Sequence, residues 1–402
     1  MSSPVIEEGG NRVTKYNFDE IVDRSKQRSK KWTDYSKFGV EVSEDFLPLW
    51  IADMDFKCEP RIAQALQEVV DYGIYGYDSP SPDFFDSFIS WQKKHNDWEV
   101  SKDWLVPVPG VVPGICNAVR TFTKEGDRIL IQPPVYYPFF KSIDCNRRII
   151  VENELVLGPD QYSIDFDDLD AKLASCKMFI FCSPHNPVGR VWSQEELQKV
   201  AQLCIKHDVI LISDEIHSDL IFKGSVHQPI ANLSKEIADR TITLMAPSKT
   251  FNVAGLAQSV AIISNPDLRE AYAEGLGSTG MMHMASFAAA GFPAAYEYGQ
   301  EWLEQAMNYI EGNVDYVLAY IKENLPEIKV YRPQGTFLMW LDFNPMVDQP
   351  DQVMEQLIHK GKLILDDGSV FGQSGQGFCR LNVASPRSII EEAMARMKRA
   401  FE

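Results

Sequence analysis

Short runs of Val, Ile, Leu and Phe, each bounded by polar or turn residues, constrain this chain more than any other feature. They occupy residues 128–132, 178–182, 209–213, 241–245 and 259–264. Runs of this kind read as strands buried on both faces, the pattern of a parallel sheet covered by helices. Between the second and third runs, Leu197, Val200, Ala201, Cys204 and Ile205 share one face of a 3.6-residue period. Ser193 followed by Glu196 reads as a capping box at the start of that helix. Strand, capped helix and strand make a βαβ unit with a right-handed crossover, so the fold class is α/β.

Towards the C-terminus the patterning changes. Helical periodicity dominates residues 302–323, strand-like pieces follow at 336–342 and 377–383, and a last helix covers 388–401. With 402 residues the chain has room for more than one domain. We read residues 1–50 as a segment joining a small domain, 51–290 as the large domain and 291–402 as the rest of the small one.

Charge and cysteine usage exclude several functions. The formal net charge of −18 disfavours binding to nucleic acid or to an anionic membrane surface. The seven cysteines are scattered, with no CxxC pair, so neither a disulfide framework nor a structural zinc site is expected. The first eleven residues are polar and lack the apolar core of a signal peptide, and no apolar run is long enough to span a bilayer. A reducing, cytoplasmic setting follows as the expectation.

In open α/β sheets, ligands sit beyond the carboxyl ends of the strands. After the run at 178–182 comes Ser183-Pro184-His185-Asn186-Pro187-Val188-Gly189. After 209–213 come Asp214, Glu215, Ile216 and His217, and after 241–245 comes Ala246-Pro247-Ser248-Lys249. An amide, an acid and a lysine thus arrive at one sheet edge. That set matches the needs of pyridoxal 5′-phosphate (PLP): an amine for its aldehyde, a carboxylate for its ring nitrogen, and a donor for its ring oxygen. Its phosphate needs N–H or O–H donors, best supplied at a helix N-terminus.

Asn186-Pro187-x-Gly189, Asp214 and Ser248-Lys249 resemble the motif set of fold-type-I PLP enzymes, the aspartate aminotransferase superfamily. The resemblance runs from about Leu47 to the last helix. Within the superfamily it points to the cystalysin and cystathionine β-lyase group of carbon–sulfur lyases, through Ala52-Asp53-Met54-Asp55-Phe56, Gly110-Val111-Val112-Pro113 and Pro134-Val135-Tyr136-Tyr137-Pro138-Phe139-Phe140. It implies a large domain with a mostly parallel, seven-stranded type of sheet flanked by helices, and a smaller α+β domain built from both termini. It also implies the following roles. Lys249 would hold PLP as a Schiff base and then remove the substrate Cα proton. Asp214 would pair with the ring nitrogen, Asn186 and His217 would donate to the ring oxygen, and Tyr136 would stack on the ring and also contact the substrate. The N–H groups of Val111 and Val112, with Ser248, would hold the phosphate. Tyr77 would reach the phosphate of a neighbouring subunit, which implies a homodimer. Arg380 would bind the substrate carboxylate through its bidentate fork, with Ala52 closing over it. The expected reaction is β-elimination from cystathionine, cystine or cysteine, giving pyruvate, ammonia and a thiol. Transamination shares the same first step, and a regulatory protein-binding role is a reading of another class.

Two positions depart from typical aminotransferases of the superfamily, which carry an arginine eight residues after the lysine and often a hydroxyl three before it. Here those positions are Ala257 and Ala246. The phosphate pocket therefore leans on Ser248 and Tyr77. Blander readings exist for single residues: Asp214 as a strand-end acid, Asn186 as a turn former, Tyr136 as core, Arg380 as an ion-pair partner. Gly275-Leu276-Gly277-Ser278-Thr279-Gly280 matches GxGxxG but follows a helical pattern, not a strand, and is read as a chance match in a loop near the site entrance. Cys182, His185 and His217 lack the spacing of metal-ligand pairs, and no GxSxG accompanies the histidines.

Overall fold

The computed structural model describes residues 5–8, 11–24, 26–43 and 45–402; of the polar N-terminal stretch, residues 1–4, 9 and 10 lie outside the described residues. Seven strands form the central sheet in the spatial order Leu105–Val108, Ser259–Ile262, Thr241–Met245, Ile210–Asp214, Met178–Cys182, Arg128–Ile131 and Ile149–Glu152. From Thr241–Met245 through to Ile149–Glu152 every neighbouring pair is parallel. This is the expected α/β sheet, with one correction. Ser259–Ile262 runs antiparallel to both neighbours, where the apolar run at 259–264 read as a parallel strand. A parallel return needs a crossover over the face of the sheet. The connection here instead stays at the strand ends, where Ser248, Lys249, Ala254 and Ala257 line one cavity, so the chain turns straight back.

Side chains alternate between the faces with the two-residue strand period. Met178, Ile180 and Cys182 pack with Ile115 and Val119 of the helix Val111–Phe122, while Phe179 and Phe181 pack with Leu197, Val200 and Cys204 on the other face. The latter come from the helix Gln194–Lys206, whose capping box is formed: the Ser193 hydroxyl accepts from the Glu196 N–H, and the Glu196 carboxylate accepts from the Ser193 N–H.

A second, antiparallel sheet has the order Lys329–Val330, Leu338–Asp342, Phe378–Asn382 and Asp366–Asp367. The helices Gln300–Asn324 and Arg387–Phe401 share its core through Ile310, Val314, Val317, Ile390, Met394 and Met397. Leu47–Pro48 pairs in parallel with Leu363–Ile364 as a separate two-stranded sheet, which ties the N-terminal segment to the chain just before Asp366–Asp367. No helix among the described residues is long and apolar enough to cross a membrane.

The GxGxxG string is corrected in part. Its first half ends the helix Pro266–Gly277 and is not a loop. Gly275 is there for packing: a Cβ would come within 2.2 Å of Thr121 Oγ1 and 2.8 Å of Asn117 Oδ1, on the neighbouring helix. Gly277, two residues on, has open space around it. Gly275→Ala is therefore expected to destabilise the protein by about 1–3 kcal/mol through overpacking. Gly277→Ala should be neutral or stabilising by up to about 1 kcal/mol. Denaturant unfolding of the two variants measures the contrast.

Candidate active site

The strand ends deliver Asn186, Asp214 and Lys249 to one cavity of about 270 Å³. Ala52, Val111, Val112, Tyr136, Cys182, His217, Ser248, Ala257 and Gln258 also line it. Asp214 is the last residue of its strand and is buried. Its Oδ1 accepts the N–H of Ile216 at 3.2 Å. Burial pushes its carboxyl up to about 7; Glu215 adds to the rise, and the Ile216 N–H and the Lys249 charge oppose it. The native fold therefore spends a buried acid on a position where only a cation would make it a comfortable anion.

Lys249 sits in the short helix Pro247–Thr250 that follows the next strand. Its Nζ donates to the carbonyl of Ala52 at 2.6 Å. Burial lowers its pKa to about 8; the Arg380 charge pulls the same way, and Asp53 and Asp214 oppose. A larger fraction of this amine is neutral at physiological pH than of an ordinary lysine, which is what a nucleophile or a base requires.

Asn186 Oδ1 accepts from Arg380 Nη1 at 3.0 Å, which leaves the amide N–H₂ of Asn186 as its donor toward the cavity. His217 is buried against Phe337, and its Nδ1 has no hydrogen-bond partner among the described residues. Burial, with the charges of Lys249 and Arg380, lowers its pKa to about 3, so it stays neutral. Tyr136 lines the cavity with its edge on Phe139, and burial raises its hydroxyl pKa.

The floor of the cavity is a helix N-terminus. Val111–Phe122 begins after Gly110, whose φ of 120° favours glycine and whose missing side chain provides no cap. The Gly114 N–H bonds back to the Gly110 carbonyl, and Pro113 has no N–H. The N–H groups of Val111 and Val112 are thereby left for an anion, in line with the helix dipole. Ser248 lies at the same cavity. Ala257 holds a left-handed conformation at φ 49° and brings only a methyl group to the cavity. The residues present fit an aldehyde-bearing, aromatic, phosphorylated cofactor.

Two of the expected residues do not line this chain's own cavity; for Tyr77 the expected place is a neighbouring subunit's phosphate. Tyr77 is 91% exposed, with its ring beside His283, and does not line this cavity. Arg380 is buried behind Asn186, with Nη2 donating to Asp366 Oδ2 at 2.6 Å and to the Trp50 carbonyl at 2.9 Å. The ion-pair reading of Arg380 is thus met, yet its Nε is buried without a partner among the described residues. A larger groove of about 680 Å³, bordered by Trp98, Trp104 and Pro266, gathers no comparable set, and its Lys93 is engaged by Asp97 and Glu99.

Sequence reasoning gave no role to the residues that hold the Ala52 segment. Asn382 Nδ2 donates to the carbonyls of Ile51 and Asp53. Asn252 accepts from the Met54 N–H and donates to the carbonyls of Met54 and Phe56. Asp55 is buried and accepts from Lys31 at 2.7 Å, Arg24 at 2.7 Å and Ser385 at 2.5 Å. Burial alone would raise the Asp55 pKa; Lys31, Ser385 and Arg24 hold it below the ordinary value. The paired acids in Ala52-Asp53-Met54-Asp55-Phe56 are the visible trace of this latch; their partners are too distant in sequence to read.

A mostly parallel sheet with an amine, an acid and an amide at its carboxyl edge, above an open helix N-terminus, defines a cofactor-dependent α/β enzyme of the transaminase type. The chain belongs to the family described as aminotransferase class I and II, which matches residues 44–397. It is 40% identical over 388 residues to the cystathionine beta-lyase PatB of Bacillus subtilis, covering 96% of this chain and all of that one. It is 32% identical to protein MalY of Escherichia coli, with 94% and 97% covered. Among solved structures, cystalysin from Treponema denticola, which contains a pyridoxal 5′-phosphate cofactor, superimposes with a TM-score of 0.93 at 38% identity, over 96% of this chain and 99% of that one.

In the unliganded protein, the acylation rate of Lys249 should follow a pKa near 8, against about 10.4 for a free lysine. Asp214→Asn should lower that pKa further, because the Asp214 charge raises it. Peptide mass spectrometry across a pH series gives both values. For stability the sign is set by proton uptake. Lys249 binds fewer protons folded than unfolded between about 8 and its unfolded pKa, so its contribution becomes more favourable as pH rises through that window. Asp214 binds more protons folded than unfolded between its unfolded pKa and about 7, so its contribution is lost as pH rises there.

Proposed function

We infer that this chain is a PLP-dependent carbon–sulfur β-lyase acting on a sulfur amino acid such as cystathionine, cystine or cysteine. The observation that carries the reading is the meeting of Lys249, Asp214 and Asn186 in one buried cavity over the open N-terminus of Val111–Phe122. The likeness to PatB and to cystalysin supports lyase over transaminase chemistry.

When bound, PLP supplies an aldehyde for amine exchange and a protonated ring that withdraws electrons from the substrate Cα. The chain's own residues do the rest. Lys249, with its pKa lowered to about 8, removes the Cα proton and can return it. Asp214 keeps a proton on the ring nitrogen, and that opposing charge would bring the acid back to an ordinary carboxylate. The Asn186 amide and neutral His217 serve the ring oxygen, and Tyr136 covers the ring. Val111, Val112 and Ser248 hold the phosphate. Arg380 takes the substrate carboxylate beside Ala52. Sulfur leaves from Cβ as a thiol, and hydrolysis of the remainder gives pyruvate and ammonia. Residues 51–290 are the cofactor-holding unit of this reading, with 1–50 and 291–402 closing over it.

A homodimer is part of the proposal. Tyr72, Ile74, Tyr75, Tyr77, Met282 and Phe287 are exposed, with Tyr75 stacked on Phe287 and the Tyr77 ring beside His283, apolar side chains of the kind that association buries. Tyr77 would then reach the partner's phosphate site. The seven cysteines are free thiols, which fits a cytoplasmic location.

The purified protein should absorb near about 420 nm, and borohydride should fix the cofactor on Lys249. Cystathionine should yield pyruvate and ammonia without a keto-acid acceptor; product that forms only with an acceptor would make the protein a transaminase. Lys249→Ala should lose at least about 100-fold in kcat. Tyr77→Phe should weaken PLP retention by about tenfold, the effect of one hydrogen bond to a charged group; equilibrium dialysis measures it, and unchanged retention removes Tyr77 from the site.

A further inference from the structure

The guanidinium of Arg380 already has a counter-ion, and that counter-ion has a second cation. Arg380 Nη2 donates to Asp366 Oδ2 at 2.6 Å, and Lys37 Nζ donates to the other oxygen, Oδ1, at 2.7 Å. Asp366 is 1% exposed. It comes from the two-residue strand Asp366–Asp367, whose register sets it opposite Arg380. Lys37 comes from the other end of the chain, in the short turn Ser36–Phe38, with its Nζ 4.0 Å from the Trp50 ring centre and 4.6 Å from that of Phe38. Burial lowers the Lys37 pKa and Asp366 opposes the shift.

An arginine paired to one buried carboxylate offers little net charge to another. Lys37 changes the sum. Lys37, Asp366 and Arg380 together carry +1 − 1 + 1, one net positive charge, and Lys37 and Asp366 without Arg380 carry none. The fork is also held in place. Nη2 is fixed by Asp366 and by the Trp50 carbonyl, Nη1 by Asn186, and Nε alone is buried without a partner among the described residues.

We propose that Lys37 and Asp366 are positioning residues for the carboxylate subsite: Asp366 fixes the Arg380 fork, and Lys37 cancels the charge of Asp366 so that the subsite keeps one net positive charge for a monoanionic substrate carboxylate. This rests on the reading of Arg380 as the carboxylate-binding group.

The probe is 3-(methylthio)propanoate, compared with its uncharged amide. Neither has an amine, so neither reacts with the cofactor, and calorimetry on the holoenzyme reads binding directly. The wild type is expected to prefer the acid. Lys37→Met should lower that preference on the order of tenfold with the amide affinity unchanged, and Lys37→Arg should retain it. Lys37→Met combined with Asp366→Asn should regain it, because removing both charges restores the sum; a merely structural role for Lys37 would make the double variant worse. Amide affinity reports that each variant keeps its pocket, and Lys37→Gln replaces Lys37→Met if that variant does not. An undiminished acid preference in Lys37→Met, or a double variant no better than the single one, overturns the role of Lys37 and leaves Arg380 untouched. A wild type that binds acid and amide alike overturns the reading of Arg380 and this proposal with it.

Discussion

The burial of Asp214 and Lys249 at one sheet edge is the constraint on which the rest of the molecule depends. Each is costly to keep charged out of water, and each is shifted toward its neutral form, the acid to about 7 and the amine to about 8. Most of the cavity wall offers them no full partner. Lys249 has the Ala52 carbonyl and Asp214 has one backbone N–H. A site held in this state is prepared for a ligand that brings its own charge, and the open helix terminus across the cavity prepares it for an anion as well.

Holding that cavity closed falls to the N-terminal segment. The stretch from Leu47 to Phe56 is pinned by strand pairing to Leu363–Ile364, by the side chains of Asn382 and Asn252, and by the Asp55 cluster with its fully buried Lys31. Removing one member of such a cluster leaves an uncompensated charge inside, at a cost of about 3–5 kcal/mol. The latch fixes the Ala52 carbonyl, and through it the resting position of the Lys249 amine. Stability at Asp55 and chemistry at Lys249 are thus two ends of one short segment.

What the sequence made legible follows from locality. Asn186, Asp214 and Lys249 each follow an apolar run directly, so the strand rule brings them together without knowledge of the packing. The capping box at Ser193 and Glu196 was readable because both partners lie within one helical turn. The direction of Ser259–Ile262 was not, because a strand buried on both faces shows the same apolar run whichever way it points. Asp366 was hidden because a two-residue strand has no period to detect, and Lys31 and Lys37 because an isolated lysine reads as a surface cation until its partner is known.

The same distinction explains why Arg380 looked simpler in the sequence than it is in the fold. Within Phe378-Cys379-Arg380-Leu381-Asn382 it is a lone cation on a buried strand; the family resemblance implies a substrate carboxylate as its partner, and the residue alone reads equally as half of an ion pair. The fold supplies a carboxylate of its own in Asp366, and then a lysine 329 residues away in sequence to balance it. Under the proposed role, an arginine that stays receptive to a substrate anion while its fork is held in place needs both. Asp366 alone would fix the fork and cancel its charge, and no partner at all would preserve the charge and lose the geometry.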